Sequence, residues 1–133
     1  MRKGIGSIVL IGLLLLAGCK KDGGNTEPDA PGTVTITSPS PIGIYINGTP
    51  LKIEGTMSDN NVLALARVEI RKKNTNDLLH TQASNTGNVG FFSFLWNWTI
   101  TGITGPTPVI VRVFAKDRLG NEVSAEVETT LDI

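Results

Sequence analysis

The sequence predicts an all-β fold, an antiparallel sandwich of about seven strands, and three observations carry that expectation. Between residues 33 and 133, apolar residues recur at every second position over several stretches, the period of a strand with one buried and one wet face. Clusters of Pro, Gly, Asn and Asp separate these stretches at short intervals, as in hairpin-rich sandwiches. No stretch holds apolar residues at helical spacing for three turns, so no helical layer is expected.

The first strand carries Val34 and Ile36 and continues in Ile42, Ile44 and Ile46 beyond a break at Pro39 and Pro41. Proline cannot donate to a ladder, so this strand belongs at a sheet edge. The second alternates Leu51, Ile53 and Gly55 with Lys52 and Glu54. Residues 58–66 (SDNNVLALA) have the Asn-rich start of a helix cap, so a single helical turn is expected there. The third strand alternates Ala66, Val68 and Ile70 with Arg67, Glu69 and Arg71, and the turn Asn74-Thr75-Asn76-Asp77 closes it. A weaker strand runs from Leu78 to Ala83, followed by strands from Phe91 to Ile100, Val109 to Lys116 and Glu122 to Ile133. The last is the clearest, with Val123, Ala125, Val127, Thr129 and Leu131 on one face and Glu122, Glu126, Glu128 and Asp132 on the other.

Ahead of this domain stand a basic start, Met1-Arg2-Lys3, and a charge-free run from Gly4 to Gly18. A membrane span needs about 20 apolar residues, so the run is too short to cross and suits a signal-peptide core. It ends in Leu16-Ala17-Gly18-Cys19, which resembles the lipobox of bacterial lipoproteins at every position. The resemblance implies cleavage before Cys19 and acylation of that residue, the only cysteine in 133 residues. Two or more acyl chains hold a protein firmly on a bilayer. In that family an Asp after the cysteine marks inner-membrane retention; Lys20 stands here, which implies the outer membrane with either leaflet open. The expected organisation is therefore a signal peptide over 1–18, a lipidated flexible linker over 19–32, and the sandwich over 33–133. The linker text KKDGGNTEPDAPG is too polar to bury a core.

Charge excludes other roles. The chain has 12 basic and 12 acidic residues, and loses Arg2 and Lys3 with the signal; a nucleic-acid binder wants a basic excess. A single cysteine excludes a disulfide framework. The only histidine, His80, has no Cys or His partner nearby in sequence and is expected as a surface strand residue, so no enzymatic chemistry is expected.

Ala115-Lys116-Asp117-Arg118-Leu119-Gly120-Asn121, a strand ending in A-x-D followed by G-N and an alternating strand, looks like the last hairpin of bacterial immunoglobulin-like and cadherin-like domains. Gly55-Thr56-Met57-Ser58-Asp59, followed by the R-V-E-I strand Arg67 to Ile70, is similar to the same families. Together they resemble the single-domain immunoglobulin-like lipoproteins of Gram-negative polysaccharide foragers, and the resemblance implies an immunoglobulin-like sandwich. The cysteine pair and third-strand Trp of antibody domains are absent.

Five of the seven aromatics fall between Phe91 and Trp98. Phe94 and Trp96 are expected in the core, which needs their bulk; Trp98, near the strand end, and Phe91, on the opposite face, are the candidate ligand contacts. Asp59 and Asn61, with Asp117 and Asn121, are oxygen donors of the kind calcium takes, but they also form turns, and turn chemistry is the favoured reading; no cofactor beyond the covalent lipid is expected. Arg71-Lys72-Lys73 reads as a solvated strand end. The expected function is that of a lipid-anchored cell-envelope module with a non-catalytic binding role toward a glycan or a protein. Its contacts would come from loops at one end, Ser84 to Gly90 and Thr101 to Pro108. The alternative is a structural or accessory subunit of an outer-membrane complex, joined by edge-strand or loop contacts.

Overall fold

The computed structural model describes residues 30–133. Leu16, Ala17, Gly18 and Cys19, and with them the expected signal and lipidation site, lie outside the described residues. Six strands follow one another: β1 (Thr33–Ser38), β2 (Ile44–Ile46), β3 (Pro50–Lys72), β4 (Leu78–Thr99), β5 (Thr107–Asp117) and β6 (Glu122–Asp132).

The architecture follows from β3, whose 23 residues are far longer than an ordinary strand of about 5–6. One side of β3 is taken along nearly its whole length by β4. The other side is taken by β1 over residues 54–58 and by β5 over residues 63–72. The sheet forks where β1 stops and β5 begins. One layer is β1, the first half of β3 and the second half of β4. The other is the first half of β4, the second half of β3, then β5, β6 and β2. Pairing is antiparallel except for β2, which runs parallel to β6.

The fork needs a bend, and register breaks between Ser58, Leu63 and Leu65 supply it in β3. Val62 there takes a positive φ of 59°, uncommon for a β-branched residue, and its carbonyl accepts the Arg118 amide at 3.1 Å. In β4 the bend falls at Gly87 and Asn88, with φ of 77° and 58°.

Between the layers lies one core. Leu51, Ile53 and Met57 face Ala66, Val68 and Ile70 of the same strand, with Val109, Val111 and Val113 of β5 and Leu131 of β6. Phe94 and Trp96 are buried as expected and stack at 5.1 Å between centroids. Each such burial is worth about 1.5–3 kcal/mol. Trp96 meets the hydrogen-bonding need of its indole by donating to the Ser84 hydroxyl at 2.9 Å. No buried side-chain nitrogen or oxygen among the described residues lacks a partner. The chain is thus an immunoglobulin-like β-sandwich.

Four local expectations change. Residues 58–63 form no helical turn but continue β3: Ser58 and Leu63 pair with Phe91 and Val89 of β4, and between them the Val62 carbonyl accepts the Arg118 amide. The second and third expected strands are two halves of β3, and the weak strand and the aromatic strand are two halves of β4. Ser84 to Gly90 is therefore strand, not loop. The interrupted first strand divides between layers, β1 on β3 and β2 on β6; both pieces are edge strands, as proline requires.

Candidate functional site

The chain enters the sandwich at Gly32, beside Asp59 and Val123, and this pole also carries the β3 bend, the β4 bend and the β5–β6 turn. The opposite pole carries Asn74 to Asp77 and Thr101 to Pro108, since Lys72 pairs with Val109 and Thr107 with Leu131. The two segments expected to share one end, Ser84 to Gly90 and Thr101 to Pro108, therefore lie at opposite poles. The reason is that β4 runs from one to the other.

At the entry pole, Asp59, Asp117, Asn121 and Glu122 line a cleft of about 290 Å³ with Ala30, Pro31 and Gly32. Asn61 is not among its lining residues; its amide donates to Asp59 Oδ1 at 2.7 Å. Asp117 is 2% exposed. Its Oδ1 accepts the amides of Leu119 and Asn121 at 2.9 and 2.8 Å, and its Oδ2 accepts the Asn121 side-chain amide at 2.9 Å. Burial pushes this carboxyl up, but the hydrogen bonds from the Asn121 side chain and the local backbone outweigh it and hold the pKa below the usual Asp range. These bonds give Asp117 the work of closing the β5–β6 turn. No group of three or more His, Cys, Asp or Glu among the described residues is arranged to hold a metal.

On the outer face of the larger layer, charges pair with one another. Glu69 lies between Arg67 and Arg71, the latter at 3.0 Å; Arg112 meets Glu126 at 2.5 Å and Lys73 meets Glu128 at 2.8 Å. The Arg67 guanidinium also sits 4.0 Å over the Phe114 ring. Burial raises the Glu69 pKa, but its bond to Arg71 and the charges of both arginines bring it below the usual value. Arg71 and Lys73 of the basic run thus sit in ion pairs.

The third surface is β4. Over 22 residues it pairs with β3 alone, so its far side is the edge of both layers at once. No Asp, Glu, Lys, Arg or Pro occurs from Leu78 to Thr99. Edge strands normally carry such residues because unpaired N–H and C=O groups invite another strand. On its outer face Phe91 is 61% and Leu95 58% exposed. Trp98, the other candidate contact, is half-buried and stacks on His80 at 5.3 Å with 13° between planes. His80, expected on the surface, is half-buried too: its register partner Ile70 is a core residue, so it shares the inward face. Sequence reasoning found Phe91 but missed Leu95 and the edge itself; the lack of charge from residue 78 to 99 was the signal.

No family model and no curated protein matches this chain. Among solved structures it is similar to a Niemann-Pick type C2 protein from the Japanese carpenter ant, with a TM-score of 0.52 and 5% identity over 79% of this chain and 96% of that one. It is also similar to Spo0M, a sporulation control protein from Bacillus subtilis, with a TM-score of 0.50 and 11% identity over 80% of this chain and 50% of that one. CopC from Methylosinus trichosporium OB3b matches with a TM-score of 0.46 and 14% identity over 75% of this chain and 94% of that one. Likeness at such identities is one of fold alone.

Proposed function

We propose that the chain is a lipid-anchored module of the bacterial outer membrane, held by acylated Cys19, with a non-catalytic binding role. Protein is the favoured ligand. The observation that carries the binding reading is the β4 edge, charge-free throughout and bearing exposed Phe91 and Leu95. A strand added there gains main-chain hydrogen bonds and apolar contacts together. Of the two candidate ligand contacts, Trp98 already stacks on His80, while Phe91 stays exposed on the β4 edge. The anchor reading is supported by the lipobox-like residues Leu16 to Cys19.

Two measurements test this. Expressed from its full sequence in a Gram-negative host, the chain is expected in the detergent-extractable membrane fraction, and Cys19→Ala is expected to lose acyl labelling; labelling that survives the substitution sinks the anchor. Against a panel of polysaccharides no saturable binding is expected. Binding lost in Trp98→Ala with the fold intact would replace protein by glycan as the ligand.

A further inference from the structure

We infer that the occupant of the β4 edge is a second copy of this chain, paired antiparallel about a two-fold axis at Ser93. The inference deepens the binding reading above and rests on it, but not on the anchor.

Three edges are available in the sandwich, and they differ. β1 has six residues, a register break between Ile36 and Ser38, and Pro39 and Pro41 just beyond. β2 has three residues. Only β4 offers a long edge, and its second half, from Phe91 to Thr99, is one unbroken register against Pro50 to Ser58.

The chemistry of that half selects the partner. With no charged side chain, it has no complementarity to offer a charged strand and no repulsion to set against its own copy. Pairing two copies about Ser93 places Phe91 of each opposite Leu95 of the other. The two most exposed apolar residues of the strand then cover one another twice, on the same outer face. Ser93 faces Ser93 at the axis, and the inward residues Phe92 and Phe94 become cross-strand neighbours. A closed isologous contact of this kind covers the edge around Ser93 on both copies, so the contact itself ends at two chains and does not propagate.

Topology agrees with the register. Ser93 lies two residues from Phe91, which pairs with Ser58, which pairs with Thr33. Both entry poles therefore sit near the axis, while the poles bearing Thr101 to Pro108 point away from each other.

The test uses the full chain in mild detergent. A species of two-chain mass is expected by light scattering, and Leu95→Lys, at an exposed site that leaves the core untouched, is expected to weaken association at least tenfold with an unchanged circular dichroism spectrum. Phe91→Glu serves as the second variant. Residues directly opposite in an antiparallel pair have Cα atoms about 4.5–5.5 Å apart, within disulfide range, so Ser93→Cys is expected to cross-link on mild oxidation and Thr35→Cys, on the β1 edge, is not. A monomer at every concentration tested, or equal cross-linking of the two cysteine variants, overturns the inference. So does a different protein bound stoichiometrically and displaced by Leu95→Lys, an outcome that leaves the binding reading standing. A chain that takes no partner, copy or glycan sinks both.

Discussion

A Cβ built on Gly55 would stand 2.0 Å from the Thr35 carbonyl oxygen and 2.5 Å from Phe94 Cζ. One of those neighbours is backbone and the other a buried ring, so neither yields cheaply. Gly55→Ala is expected to destabilise by about 1–3 kcal/mol, the usual cost of overpacking, measured by denaturant unfolding. Asp117 supplies a test of a different kind. Its pKa is depressed in the folded chain, so its stabilising effect is present in full above the unfolded Asp value of about 3.9 and is lost as pH falls through the folded value. Asp117→Asn is expected to melt at a lower temperature near neutrality, with the difference from the parent narrowing below about pH 4. Calorimetry across that range checks it; a constant difference would mean that the carboxylate charge contributes nothing.

At the scale of elements, β4 owes its double role to its bend. Gly87 has a φ of 77° with nothing within 4 Å of an added Cβ, so Gly87→Ala strains the backbone without a clash. The expected cost is about 1 kcal/mol, read as a shift in the urea midpoint. The same bend explains which parts of the fold were legible. Alternation located both halves of β3, the second half of β4, β5 and β6, because each buries or half-buries its own set of alternate residues; the first half of β4, where only Thr86 is buried, gave a weaker signal. What alternation does not report is whether the chain between two segments turns back or runs on. Ser58 to Asn61 (SDNN) and Ser84 to Gly90 (SNTGNVG) are rich in Ser, Asn, Asp or Gly, the residues of turns and of bends alike, and only the pairing partners distinguish the two. The aromatic run was legible as core for the plainer reason that few other large side chains exist to fill it. Leu95 was not, since one leucine between Phe94 and Trp96 reads as more of the same until register puts it outside.

For the whole molecule, stability rests on the core between the layers rather than on the ion pairs outside. Arg112–Glu126 and Lys73–Glu128 are about half exposed on each side, and such pairs contribute roughly 0–1 kcal/mol. Raising NaCl from low salt to 1 M is expected to lower the melting temperature by no more than about 5 °C, the shift that ~1 kcal/mol gives in a domain of this size; a larger fall would move the weight of stability to the outer face. The parallel pairing of β2 with β6 has a mechanical consequence. The chain enters at one pole and β6 ends at the other, with Ile44 to Ile46 lying alongside Thr130 to Asp132. A pull between Gly32 and Asp132 drags these two strands past each other along their length, so their hydrogen bonds are strained in shear and must break together instead of unzipping one at a time. A domain wired in this way resists extension along the line that joins Gly32 to its far pole.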